Sequence, residues 1–208
     1  MLVVGIGNTG AEIAADLAES GAARVRIAVR TVPHVIPRSV GPVASTLLGI
    51  PQSLLPPLLV DGGSALLARS VVGDLSAFGL PWPAEGVAAR MRRGGSVPTI
   101  DVGLVEQLRA GRVSVVPGVH ALDGAEVELV DGSRVRPDAV IAATGYDAAV
   151  AALAEVGEAT LQGVRAFGRG RAPGLYTVGL FNTAQGVLFR IGVDARRVAR
   201  AIARAEAG

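Results

Sequence analysis

The chain has 208 residues, half of them apolar and 18% charged, with 28 Gly, 12 Pro and a formal net charge of +2. That length can bury a core, and the balance of apolar and turn-forming residues suits an α/β protein rather than a disordered or coiled-coil one. All 20 basic residues are Arg and neither Lys nor Cys occurs, which excludes a Walker-type phosphate loop, Schiff-base catalysis, thiolate chemistry and Cys-ligated metals.

Leu2 to Val4 reads as a short apolar strand. Gly5-Ile6-Gly7-Asn8-Thr9-Gly10 follows, then a helix from about Thr9 to Ser20 with Ile13, Ala14 and Leu17 on one face, stopped by Gly21. Val25 to Val29 is a second strand, close enough to the first for a parallel βαβ crossover. From Pro33 to about Gly79 the pattern turns Leu-rich and Pro-punctuated, with Ser64 to Leu75 the clearest helix. A helical insertion over about 39–98 is therefore expected. Ser39 to Val60 carries no charge, but Pro42, Pro51, Pro56 and Pro57 break it, so no transmembrane span is expected. No basic segment precedes an apolar stretch near Met1, and a cytoplasmic location is the expectation.

Asp101 is a candidate N-cap for a helix ending near Gly111, and Val113 to Val116 reads as a buried strand. Glu126 to Val130, the Asp131-Gly132 turn and Arg134 to Arg136 form a hairpin pattern, and Ala139 to Ala143 returns as an apolar strand running into Thr144-Gly145-Tyr146. Beyond it lie an Ala-rich helical stretch, an Arg/Gly/Pro loop, a strand at Leu175 to Val178 and a last helix from about Ile191 to Ala205. His34 and His120 are too few for an all-histidine zinc site and read as loop or packing residues. Trp82, between prolines, reads as the cover of a core edge. Arg196, Arg197, Arg200 and Arg204 read as a solvated face near a helix C-terminus, and with Arg spread along the chain no nucleic-acid partner is expected.

A strand entering G-x-G-x-x-G and a helix leaving it is the context in which that spacing binds a dinucleotide. Gly5 permits the tight turn, Gly7 lets a pyrophosphate approach the backbone, and Gly10 lets helix and strand pack closely. The helix N-terminus offers N–H groups and a partial positive charge to phosphate. The alternative is a glycine-rich turn that holds no ligand. At the end of the second strand, where NAD-binding proteins place an acid for the ribose hydroxyl, stands Arg30. Between Glu19 and Asp61 there is no acid, while Arg24, Arg26, Arg30 and Arg38 are present. A 2′-phosphate suits that setting, and NADPH is the expected cofactor. The competing reading is a set of solvated arginines at a strand end.

The ordered series of this turn, Arg30, Val115 to Gly118, Ala143-Thr144-Gly145-Tyr146 and Gly174-Leu175-Tyr176-Thr177-Val178-Gly179 resembles the flavin-containing monooxygenases, especially the plant auxin-forming indole-pyruvate branch. The resemblance implies a two-dinucleotide-binding-domain flavoprotein. Residues 1–143 would be the Rossmann-like NADPH domain, and 144–208 the C-terminal return of an FAD domain. It further implies that Gly5, Gly7, Asn8, Thr9 and Gly10 hold the pyrophosphate and Arg30 the 2′-phosphate. Thr144, Gly145 and Tyr146 would mark the crossing between domains, and Gly179 would face FAD, although Leu180 stands where related enzymes often carry Asp.

NADPH would then reduce FAD, and O2 would give one atom to a small organic substrate. No general acid, base or nucleophile is expected, since in such chemistry the cofactor is the reactive group. The family's own first glycine turn and its FxGxxxHxxx[WP] fingerprint are missing from this sequence. A truncated chain or a late start is therefore expected, with self-association through the apolar face left by the missing FAD half. Two other readings stay open: a non-catalytic NADPH-binding module, and a stand-alone NADP-dependent reductase. The latter is disfavoured by the lack of Lys and by the domain-crossing motif.

Overall fold

Leu2, Val3 and Val4 form β1 (Leu2–Val4) as an unbroken apolar run because both faces of the sheet it enters are covered. The Gly turn leads into α1 (Asn8–Glu19) and then β2 (Val25–Val29). Next come β3 (Val35–Pro37), the hairpin β4 (Ser39–Val40) and β5 (Val43–Ala44), and α2 (Ser45–Gln52). They are followed by α3 (Pro57–Val71), a 3-10 turn at Ser76–Phe78 and α4 (Val87–Arg92). The chain returns through β6 (Thr99–Asp101), α5 (Leu104–Arg109) and β7 (Val113–Pro117). Then come β8 (Val119–Asp123), β9 (Glu126–Leu129), β10 (Arg134–Val135) and β11 (Val140–Ala142), and, much later, α6 (Val187–Glu206). This computed structural model describes residues 1–52, 56–93, 97–146, 176, 178–179 and 186–206. The chain forms two compact units, Met1–Gly145 and Tyr146–Gly208.

The main sheet of the first unit has the order β11-β1-β2-β7, with every neighbouring pair parallel. Val3, Val25, Ile27 and Val113 point to the face covered by α1 and α5, where they share a core with Ala11, Ala14, Ala18, Leu104 and Leu108. The alanines of α1 let the helix lie close on the strands, while the larger Ile13 and Leu17 flank the contact. On the opposite face Leu2 and Ala28 pack against Val127 and Leu129 of the antiparallel sheet β10-β9-β8. Each fully buried aliphatic side chain here is worth about 2 kcal/mol.

The Asp131-Gly132 turn is built as expected between β9 and β10. Gly132 has φ +81°, and Asp131 Oδ1 accepts from the Ser133 N–H at 3.0 Å and from its hydroxyl at 2.6 Å. These two bonds hold the Asp131 carboxyl below the ordinary carboxylate range.

Within 39–98, where a helical insertion is expected, the described residues form the short hairpin β4–β5 followed by α2, α3, the 3-10 turn and α4, and β3 and β6 pair in parallel on either side of the segment. α3 begins earlier than expected, with Pro57 at its first position, because proline is preorganised there. It runs through Gly62 and Gly63, each costing about 1 kcal/mol in a helix interior, so the local signal for helix starts only at Ser64. Asp101 closes β6 rather than serving as the N-cap. Gly103 is the cap residue of α5, and the Asp101 carboxylate accepts from the Val105 N–H at 3.0 Å across the first turn. β8 was not anticipated, since four of its five residues are exposed and it has no apolar alternation.

In the second unit α6 begins at Val187, after Gly186 at φ +81°. Arg196, Arg197, Arg200 and Arg204 lie on its exposed side, and Arg190 pairs with Asp194 at 3.0 Å one turn on. The Ala-rich stretch after Tyr146, the Arg/Gly/Pro loop and the strand expected at Leu175 to Val178 fall largely outside the described residues. No helix among the described residues is long and apolar enough to cross a membrane.

Candidate functional site

β1 is the one strand whose neighbours come from opposite directions of the connectivity: β2 joins it through α1, and β11 joins it from the end of the unit. This is a topological switch point, and ligands of open parallel sheets bind outside the carboxyl ends of the strands at such points. The glycine turn leaves β1 there.

Gly5 has φ +106°, a backbone conformation that side chains resist, and a Cβ on it would stand 2.4 Å from the carbonyl oxygen of Ala143. Its N–H donates to Ala28 O at 3.0 Å, and Ala143 N–H donates to Val4 O at 2.9 Å, so strand ends on both sides fix the turn. Gly10 is buried, and a Cβ there would lie 2.0 Å from Gly5 O and 3.3 Å from the Ala143 Cβ. Gly7 differs from both. It is exposed, its φ of −66° suits any residue, and a Cβ on it would meet nothing within 4 Å. The protein's own packing accounts for Gly5 and Gly10 and leaves the glycine at 7 unexplained, which fits a ligand approaching the backbone at that point.

The first helical bond of α1 runs from Ala11 N–H to Gly7 O at 2.9 Å. The N–H groups of Asn8, Thr9 and Gly10 therefore lack acceptors within the helix, and the cap residue, being glycine, supplies no side chain. Thr9 is exposed. The side chain of Asn8 is engaged elsewhere, its Oδ1 accepting from the Ile100 N–H at 2.7 Å, so its backbone is what it offers at the helix end. No carboxylate among the described residues caps this turn, which leaves its partial positive charge uncompensated.

Arg30 stands exposed directly after β2, beside the turn. No carboxylate among the described residues pairs with it. Gly118, after β7, lies against it, and a Cβ there would come 3.1 Å from the Arg30 Cα. Thr144 and Gly145, the latter at φ +92°, follow β11 at the same edge and are exposed. The structure thus gathers Gly5, Gly7, Asn8, Thr9, Gly10, Arg30, Thr144 and Gly145 at the carboxyl edge of one sheet. Tyr146 is 97% exposed where the second unit starts. Gly179, in that unit, has φ +75°, a conformation that favours glycine, and a Cβ on it would come within 2.9 Å of Ile191 Cγ1 on α6, so that side chain would have to shift.

Sequence reasoning missed Thr99, whose hydroxyl donates to Ile6 O at 2.7 Å inside the turn and which is 1% exposed. A separate cavity of about 170 Å³ is lined by His34, Asp61, Arg69, Trp82, Glu85 and Val87. The Arg69 guanidinium lies over the Trp82 ring at 5.5 Å, and Asp61 accepts from the Ala88 N–H at 2.6 Å at the start of α4. His34 Nε2 is 2.8 Å from Glu85 O, and burial, outweighing that bond, holds its pKa below the ordinary imidazole value. Among the described residues no cluster of three or more His, Cys, Asp or Glu is placed to hold a metal ion.

No protein-family model matches the chain. An indole-3-pyruvate monooxygenase of Oryza sativa subsp. japonica is 36% identical over 215 residues, covering 98% of this chain and 50% of the relative. One of Arabidopsis thaliana is 36% identical over 149 residues, 70% of this chain and 35% of its own length. Among solved structures, an oxidised steroid monooxygenase bound to NADP matches with a TM-score of 0.63 at 18% identity, over 99% of this chain and 52% of that one. A variant of a flavin monooxygenase from Stenotrophomonas maltophilia matches at 0.54 and 20% identity, over 97% and 51%. These structures share the α/β fold expected from the sequence, and the chain spans about half the length of the curated relatives it matches.

Proposed function

This chain is a homologue of the flavin monooxygenases of the indole-3-pyruvate branch, and from that kinship we propose that it is the NADPH-binding portion of an FAD-dependent monooxygenase. Residues 1–143 form the NADPH domain in this reading, and 144–208 belong to the FAD domain. The observation that carries it is the open ground over Gly7 at the helix end where the N–H groups of Asn8, Thr9 and Gly10 are free of helical acceptors, with Arg30 directly after the neighbouring strand β2. The turn binds pyrophosphate through backbone donors, and Arg30 binds the 2′-phosphate with a planar guanidinium that no protein carboxylate claims among the described residues. NADPH and FAD, when bound, would supply the chemistry, hydride delivery to flavin and insertion of one atom of O2 into a small organic substrate. The protein's part is to bind and orient.

A second reading is a binding module without its own flavin. One preparation separates the two. The purified chain is titrated with NADPH and NADH by fluorescence, and its visible absorbance is recorded. Both readings expect NADPH to bind more tightly than NADH, and Arg30→Ala to erase about tenfold or more of that preference, as loss of a charge-assisted contact does. Flavin absorbance with NADPH-dependent O2 uptake supports the monooxygenase, and a colourless NADPH-binding chain supports the module. A folded chain that binds neither nucleotide overturns both.

A further inference from the structure

Thr99 is buried to 1% exposure and makes two bonds in different directions. Its N–H donates to His34 O at 2.8 Å, in the loop that follows Arg30 and leads into β3. Its hydroxyl donates to Ile6 O at 2.7 Å, at the middle of the glycine turn. The next residue repeats the attachment, with Ile100 N–H donating to Asn8 Oδ1 at 2.7 Å.

The Ile6–Gly7 peptide is planar and trans, as no cis peptide occurs among the described residues. In such a unit the carbonyl and the following N–H point in opposite directions. With Ile6 O turned inward to the buried hydroxyl, the Gly7 N–H is turned outward, to the side where a Cβ on Gly7 would meet nothing.

We infer that Thr99 is a positioning residue for the dinucleotide: its hydroxyl fixes the Ile6–Gly7 peptide so that the Gly7 N–H faces the pyrophosphate, while its backbone anchors the loop beside Arg30. The inference rests on the NADPH reading given above. Without the hydroxyl the Ile6 carbonyl loses its inward partner, the peptide can rotate, and the donor at Gly7 is no longer preorganised. Thr99→Val keeps the side-chain volume and the backbone bond to His34, and removes only this restraint.

The test compares two probes on the full chain. NADPH uses both the turn and Arg30, whereas adenosine 2′-monophosphate presents its 2′-phosphate to Arg30 without a pyrophosphate. Thr99→Val is expected to weaken NADPH binding about tenfold and to leave adenosine 2′-monophosphate within about twofold. Thr99→Ser, which retains the hydroxyl, is expected to bind NADPH within about twofold of wild type even where its melting temperature falls. Unchanged NADPH binding in Thr99→Val, or equal weakening of both probes, overturns the positioning role. If the valine variant does not fold, a serine variant that folds but binds NADPH poorly overturns it as well. A wild-type chain that binds no NADPH overturns this inference together with the reading beneath it.

Discussion

The carbonyl oxygen of Gly5 stands 2.0 Å from where a Cβ on Gly10 would be, so the strand end and the first turn of α1 meet through absent side chains. The obstacle is backbone, and backbone at this turn is held from both sides by Ala28 and Ala143. Gly10→Ala is therefore expected to cost about 3 kcal/mol, as over-packing in a rigid site does. Urea denaturation measures it, and a loss below about 1 kcal/mol would show that α1 can shift outward.

Gly7 offers the complementary experiment. Its φ of −66° admits alanine and its surroundings are open, so Gly7→Ala should fold with stability within about 1 kcal/mol of wild type, the scale of an altered helix cap. Its NADPH affinity should nonetheless fall about tenfold or more, because the methyl group occupies the approach of the pyrophosphate. Calorimetric titration beside a denaturation curve reads both quantities. Retained affinity would mean that the glycine at 7 serves no ligand.

The pairing of His34 with Glu85 O carries a pH dependence. Burial depresses the folded-state pKa of His34, with the Arg90 charge acting in the same sense and the Glu85 bond, Asp61 and the Glu85 charge opposing. The unfolded chain then binds more protons than the folded chain below about pH 6.5, so stability falls as pH drops from there toward the lowered folded pKa. His34→Gln should flatten this decline in a series of denaturation midpoints. An equal decline in the variant would place its origin in other groups.

Leu2 to Val4 was legible because a sheet covered on both faces writes an unbroken apolar run into the sequence, and Val25 to Val29 and Val113 to Val116 were legible because only Arg26 and Ser114 interrupt theirs. The glycine turn was legible because its conformational demands are local. Thr99 was not. Its partner Ile6 O lies 93 residues away, and one threonine in Val97-Pro98-Thr99-Ile100 carries no local mark of that bond. β8 was hidden for the opposite reason to β1, since only its backbone and Val119 join the structure while His120 to Asp123 face solvent. Ser64 marked only part of α3, because Gly62 and Gly63 weaken the propensity of its first half, which tertiary packing then overrides. Gly118 was read as one member of a series, but only the structure shows it pressed against the Cα of Arg30.

The contact between Gly5 and Ala143 also sets an order of events during synthesis. β2 emerges from the ribosome soon after β1 and can pair with it, whereas β11 and the Ala143 that follows it, whose carbonyl lies against Gly5 and whose Cβ lies against Gly10, are translated only after the whole insertion and the β8–β10 sheet. Contacts between such distant segments form late, because loop-closure entropy must be overcome first. Until then the carboxyl end of β1 has an unpaired edge, open to wrong partners, and a nascent chain stalled before Val140 would hold a glycine turn with no wall on one side.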